Sequence, residues 1–295
     1  MMAAEKTDKR KNALMPGLYI AATPIGNLAD ASHRLIETLK TADLILCEDT
    51  RVTAKLCQAF GVETRRAPYH DHNAAQVRPD IVQKLVQGES ICLVSDAGTP
   101  LISDPGYKLV AACREAGVEV FTVPGPCAAI AALSIAGLPS HDFYFAGFPP
   151  AKTGARISAF QKVADWPTTL VYYESPQRLA LCLSDMYAVF GDRKACIARE
   201  LTKRFEQTYT GTLAELVDQF NGPDIAAPKG EIVLLIAPPE CERANVTPEE
   251  IDGFLEKALE HMSVRDAAAA ASDTFNNPKR DLYTRALAIK KTGKE

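Results

Sequence analysis

The chain has 295 residues, 47% of them hydrophobic and 24% charged, enough for two domains with separate cores at roughly 100–200 residues each. A net charge of -4 and a pI near 5.8 exclude a uniformly basic nucleic-acid binder, so any such partner must meet a local basic patch. The sequence contains no run of about 18 apolar residues and no signal-peptide pattern, so a soluble cytoplasmic protein without a membrane partner is expected.

The eight cysteines lie mostly in apolar runs and form no CxxC pairs or His/Cys clusters at metal spacing. Buried free thiols and no metal are expected. The polar start, MMAAEKTDKRKN, reads as a frayed tail over 1–16. Residues 17–22 form a short apolar strand, followed by TPIGNL. A proline and a glycine after a first strand resemble a phosphate-cradling turn, although GxGxxG is absent. A helix follows, with Asp30 or Ser32 as N-cap and Leu35, Ile36 and Leu39 on one face. Strand two, 42–47, runs into Glu48, Asp49, Thr50 and Arg51. Polar residues there either pair locally and cap the next helix, or carry function. His70 and His72 flank Asp71. Alternate spacing puts the two rings on opposite faces of an extended segment, and a polar loop is the reading preferred over a metal site. Residues 81–86 are helical, closed by Gly88.

The next strand, 91–94, breaks into SDAGTP, passes Leu101 and Ile102, and breaks again at SDPG before a helix over 107–116 that Gly117 stops. A strand ending in two glycine–proline turns leaves backbone groups unpaired at its carboxyl end, where ligands sit in open α/β sheets. Gly98 permits close backbone approach. An ordinary strand-to-helix loop has the same spacing. Strand four is 118–123, and after PGP residues 127–136 are an almost wholly apolar, small-residue helix, expected to be buried and close-packed. Its start carries free N–H groups. Alternating strands and helices predict a parallel sheet.

Composition changes near 139–150, where FYFAGFPP is aromatic and then proline-broken. A polar helix, a strand at 168–173, a helix started by Pro176 with Ser175 as cap, and a strand at 195–198 follow. The next eight residues are dense in charge of both signs; 207–212 is β-like, 213–220 helical and 230–236 a last strand. From Cys241 the pattern is helical, with Thr247–Glu250 reading as a capping box. Two short helices around a polar turn, with Lys279, Arg280, Arg285, Lys290 and Lys291, read as either a helix-turn-helix-like nucleic-acid module or a solvated helical hairpin.

The motifs ATPIGNL (22–28), CEDTRVT (47–53), LVSDAGTPLISDPG (93–106), PGPCAAIAAL (124–133), YYESPQR (172–178) and ARELTK (198–203) together resemble the tetrapyrrole-methylase superfamily, and within it the ribosomal RNA small subunit methyltransferase I family. The resemblance covers 17–236. It implies an α/β fold: 17–141 and 142–240 as two α/β domains with a cofactor cleft between them, and 241–295 as a small helical module. It further implies a homodimer that uses S-adenosylmethionine for 2′-O-methylation of a specific cytidine in the decoding region of small-subunit rRNA, either free or in the assembled subunit. Rival readings are a porphyrinoid or diphthine-type methyltransferase, or a non-catalytic RNA-binding module.

By position, the resemblance puts cofactor contacts at Ala97, Gly98, Thr99, Pro100, Leu101 and Ile102, and at Cys127 and Ala128. Pro24 and Gly26 border the same cleft, and Tyr172, Ala198 and Glu200 approach from the second domain. Where tetrapyrrole-acting members have GGDP, this chain has AGTP, so backbone contact is expected there. Methyl transfer to a ribose hydroxyl needs alignment and a proton acceptor; the candidates are Asp49, His70 and Asp104. Arg51, Lys203 and Arg204 suit phosphate contacts, or else surface ion pairs.

Overall fold

A computed structural model describes residues 14–221, 230–239, 247–275 and 277–292. Most of the expected tail, together with Cys241, Asn276 and the last three residues, lies outside the described residues. The described chain falls into two units, one up to Pro239 and one from Thr247.

In the first unit, strands β1 (Gly17–Ala21), β2 (Leu44–Cys47), β3 (Arg66–Pro68), β4 (Ser90–Leu93) and β5 (Val120–Val123) form an all-parallel sheet in the order β3-β2-β4-β1-β5. Helices α1 (His33–Thr41), α2 (Thr50–Phe60), α3 (Ala74–Val86), α4 (Tyr107–Glu115) and α5 (Ala128–Ile135) alternate with these strands. Both faces are covered, so the strands are continuous apolar runs. Tyr19, Ile45 and Cys92 pack with Leu35 and Leu39 of α1 and Cys57 of α2 on one face. Their strand neighbours Leu18, Leu46 and Ile91 pack with Ile81 and Leu85 of α3 and Leu109 of α4 on the other.

Ser32, not Asp30, caps α1: Leu35 N–H donates to Ser32 Oγ at 3.0 Å. Asp30 sits in a preceding 3-10 turn capped by Asn27. Strand β3 was not expected from the pattern. It is three residues long and ends in proline, which only an edge strand tolerates. Helix α3 begins at Ala74, well before residue 81, and contains Pro79.

The second sheet has β6 (Phe143–Gly147), β7 (Thr169–Glu174), β8 (Lys194–Arg199), β9 (Gln207–Thr212) and β10 (Ile232–Ile236), in the order β6-β7-β10-β8-β9. Only β6 and β7 pair in parallel. One face is covered by α6 (Thr153–Gln161), α7 (Leu179–Phe190) and α8 (Leu213–Phe220). The other is met by α5 of the first sheet's run, whose Ala129, Ala132 and Leu133 pack on Val171 of β7 and Val233 and Leu235 of β10. Helix α5 is therefore not buried all round: Ile130 and Ile135 on its far side are about half exposed. A uniformly apolar helix has no stripe from which to read that side. Ser175 makes no side-chain cap; a 3-10 turn, Pro176–Arg178, precedes α7 instead. Seven described cysteines are free, and all but the half-buried Cys127 are buried.

The second unit packs α9 (Pro248–Leu259), α10 (Val264–Phe275) and α11 (Lys279–Thr292) around Leu255, Ala268, Leu282 and Ala286. Among the described residues it holds three helices, the one begun by the capping box and the two expected on either side of the polar turn. The Thr247–Glu250 capping box is formed in both directions. Among the described residues, no helix is long and apolar enough to cross a membrane.

Arg156 of α6 is the largest fully buried side chain. Its Nε donates to Asp185 Oδ2 at 2.7 Å and its Nη1 to the carbonyls of Pro150 and Ala151 at 3.3 and 3.1 Å. Truncation leaves a partly buried carboxylate and two carbonyls without their donor. Arg156→Ala should lower the unfolding free energy by about 3–5 kcal/mol in urea titrations; a loss below about 1 kcal/mol would mean that water replaces the guanidinium.

Candidate active site

The loops after β1, β4 and β5 are tied to one another. Thr23 N–H donates to Gly98 O at 2.9 Å and Gly98 N–H returns to Thr23 O at 3.1 Å. The Thr23 hydroxyl donates to Ser95 O, and the Thr99 hydroxyl donates to Pro126 O at 3.0 Å. Gly98 has φ 84°, and a Cβ there would stand 3.3 Å from Ile25 Cγ2, so the position favours glycine on both counts. Leu101 (φ 73°) and Ser103 (φ 66°) hold left-handed conformations without being glycine.

Between this loop cluster and the second sheet lies a cavity of about 370 Å³, within the usual range for small-molecule sites. Ala97, Gly98, Thr99, Ile102, Asp104, Cys127, Ala128 and Ala198 line it. Helix α5 opens here without a side-chain cap from Cys127. Instead, Ala129 N–H donates to the Tyr173 hydroxyl at 3.2 Å. Other first-turn N–H groups of such a helix suit an anionic ligand group.

Six expected contacts do not line the cavity: Pro24, Gly26, Pro100, Leu101, Tyr172 and Glu200. Tyr172 points to the opposite face of β7, against Phe160 in the core; strand alternation gives its place to Tyr173. Leu101 packs into the first sheet's core while Ile102 turns to the cavity. Glu200 is engaged by Lys203 Nζ at 2.8 Å. Pro24 and Gly26 flank Ile25, which is the residue of that turn that reaches the cavity. The Lys203 stem lies over Gly26, where a Cβ would meet Lys203 Cγ at 2.5 Å. Sequence reading also missed Ser103, Phe148, Glu174, Leu201 and Gly230, although Ser103, Glu174 and Leu201 lie inside the quoted motifs.

The three proton-acceptor candidates separate. Asp104 lines the cavity, where burial, assisted by the charges of Glu48 and Asp96, pushes its carboxyl up to about 6. Asp49 faces a second, open basin with His70, His72 and Asp96. It caps α2 through Arg51 N–H and pairs with the Arg51 side chain at 2.6 Å. The hydrogen bonds from Arg51 pull its carboxyl down to about 2, leaving a weak base. Asp96 borders both cavities and accepts from Asp49 N–H at 3.0 Å. His70 and His72 are not on opposite faces: their rings meet edge to face at 5.9 Å, because the segment turns toward α3 rather than extending. Among the described residues, no group of three His, Cys, Asp or Glu is placed to hold a metal ion.

Several cations expected to meet phosphates are engaged within the protein. Lys203 Nζ also donates to Glu231 at 3.0 Å. Arg285 pairs with Asp252 and donates to Pro248 O, fastening α11 to α9. Arg51 pairs with Asp49 but keeps an exposed side chain, and Arg204 lies over the Phe205 ring. Lys279 and Arg280 are exposed at the start of α11.

Residues 17–217 match the family of Tetrapyrrole (Corrin/Porphyrin) Methylases, and 245–290 match the RsmI C-terminal HTH domain. The protein named ribosomal RNA small subunit methyltransferase I in Mesorhizobium japonicum is 45% identical over 98% of this chain and 98% of its own. Its namesake in Escherichia coli O157:H7 is 45% identical over 92% of this chain and 94% of its own. Among solved structures, uroporphyrin-III C-methyl transferase from Thermus thermophilus complexed with S-adenyl homocysteine matches with TM-score 0.53 at 18% identity, covering 74% of this chain and 96% of that one. Diphthine synthase matches with TM-score 0.55 at 13% identity, covering 75% and 89%. At such identities the structural likeness shows the fold.

The Asp104 carboxyl sits above its ordinary 3.8, so the folded protein binds that proton more tightly than the unfolded chain. Stability from this group therefore falls as pH rises from about 4 through about 6 and stays lowered above. Asp104→Asn should melt higher than the parent protein at pH 8 and at the same temperature at pH 4. Equal melting at pH 8 in calorimetric scans would show the carboxyl to be well solvated.

Proposed function

The chain belongs to the tetrapyrrole methylase family, in its ribosomal RNA small subunit methyltransferase I branch, and from that premise we propose that it methylates the 2′-hydroxyl of a specific cytidine in the decoding region of small-subunit rRNA, with S-adenosylmethionine as donor. The observation that carries the reading is the cavity under the Thr23–Gly98 loop pair, walled by the second sheet. Its residues fit the donor. A cradle at Gly98 that a Cβ would crowd suits main-chain contact, the start of α5 suits a carboxylate, and Ile25, Ala198, Leu201 and Val233 suit an apolar ring. When bound, the donor supplies a methyl group on a sulfonium. The protein's part is to hold the ribose hydroxyl in line and accept its proton. Asp104 accepts that proton on its carboxylate, with a pKa close to the working pH as a general base needs. The largely apolar wall excludes water from the reacting groups.

The substrate is the rRNA or the assembled small subunit, met through exposed Arg51, Arg204, Lys279 and Arg280. The protein acts as a cytoplasmic homodimer, with 17–141 and 142–240 as the two domains that enclose the donor and 241–295 as the RNA-binding module.

Small subunits lacking the modification, incubated with methyl-labelled donor, should take up label on the ribose of a single cytidine. Label on a base, or none, would overturn the assignment. The rate should rise tenfold per pH unit below about 6 and level off above, and Asp104→Asn should lose ~10²–10⁴-fold in kcat. Gly98→Val should weaken donor binding at least tenfold in calorimetry, since a branched side chain must enter the space beside Ile25.

A further inference from the structure

Two aromatic side chains line the cavity, Tyr173 and Phe148. Tyr173 is committed: it caps α5 with its hydroxyl and packs edge-on against Phe145 at 4.9 Å. Phe148 is not. It touches Tyr173 by a ring edge at 5.5 Å and is otherwise 58% exposed at the cavity wall.

Its backbone is nevertheless firmly held. Gly147 before it has φ 65°, and a Cβ there would lie 3.2 Å from Ser103 Oγ, so this turn runs against the segment that carries Asp104. Pro149 and Pro150 follow, and Arg178 Nη2 donates to Pro149 O at 2.6 Å and to Pro150 O at 3.4 Å. Arg156, itself 2% exposed, donates to Pro150 O as well. Arg178 is anchored in turn by Glu174, whose side chain is fully buried. Two guanidinium groups thus fix the backbone that holds an apolar ring out in water, an arrangement that gains nothing from burial. It does present a flat surface on a backbone that is ordered before a ligand arrives.

Building on the RNA-methylation reading, we propose that Phe148 is the stacking platform for the base of the target nucleotide, holding it at the cavity so that its ribose reaches Asp104. A base lifted out of its stack offers a π-face and recovers stacking on an aromatic side chain.

The test uses the full-length protein with Phe148→Ala, Phe148→Leu and Phe148→Tyr. Alanine and leucine should lower kcat/KM for unmodified small subunits about 10–100-fold, with melting temperature unchanged and S-adenosylhomocysteine affinity within twofold in calorimetry; tyrosine should restore the rate. Leucine working as well as phenylalanine would reduce the ring to apolar packing and overturn the proposal. So would a loss of S-adenosylhomocysteine affinity at unchanged KM for subunits, which would place the ring on the donor's purine. A parent protein that methylates no subunit sinks the functional reading instead. Quenching of a pyrrolocytidine-containing oligoribonucleotide by the parent protein and not by Phe148→Ala then supports the platform independently, and equal quenching overturns it.

Discussion

The contact between α5 and the second sheet is what makes a site out of two sheets. Ala129 and Ala132 bring the helix backbone close to β7 and β10, because neither carries more than a methyl group. Larger residues would hold the sheets apart. With the helix seated, its start is placed beside Tyr173, whose hydroxyl accepts the Ala129 N–H. The carboxyl ends of β1 and β4, already laced through Thr23 and Gly98, then face β7, β8 and β10. The cavity is the space left between them. Its walls come from the two sheets, so its shape depends on a hydrophobic contact made outside it.

Both walls use the same backbone device. Ile102 enters the cavity between Leu101 and Ser103, and Leu201 enters it between Glu200 and Thr202. All four flanking residues are non-glycine and have positive φ. Each such residue costs about 1–3 kcal/mol and persists where its surroundings over-determine it. Here the surroundings are the first sheet's core under Leu101 and the carboxylate–lysine cluster around Glu200. Strain on each wall turns one apolar side chain out of its strand's continuation and onto the ligand space.

The strands and most helices were legible because burial on two faces writes continuous apolar runs, and loop residues at strand ends punctuate them. The same burial hid which side of a strand faces the site. Tyr172 and Tyr173 are adjacent and identical in type, and only α5 on one face and α6–α8 on the other distinguish them. Charge was legible as type and not as state. Asp49 and Asp104 are both carboxylates after parallel strands, yet one meets Arg51 within two residues while the other meets Asp96 of its own loop and Glu48 from the end of β2. Lys203 reads either as a phosphate contact or as an ion pair; Glu200 three residues before it is visible, whereas Glu231, and Asp252 for Arg285, lie roughly thirty residues away in sequence. Strand β6 was masked by the prolines that end it, and Phe148 by its place among aromatics that pack.

Polar groups around the cavity divide by whether a counter-charge reaches them. Glu174 has Arg178, Glu200 has Lys203 and Asp49 has Arg51. Each pair fixes backbone: the turn after β6, the wall at Leu201, the start of α2. Asp104 has no cation among its influences, only burial, two like charges and a hydrogen bond from Ser95. A carboxylate used for structure gains from a partner that holds its charge, whereas one used to take a proton must be kept from such a partner, since pairing would lower its basicity. The chain satisfies both demands within one loop cluster by placing its arginines and lysine on the rim and second sheet, and leaving the Asp104 side of the cavity acidic. Stability forgone at Asp104 is thus the physical counterpart of basicity there, and the paired carboxylates around it supply the rigidity that the unpaired one does not.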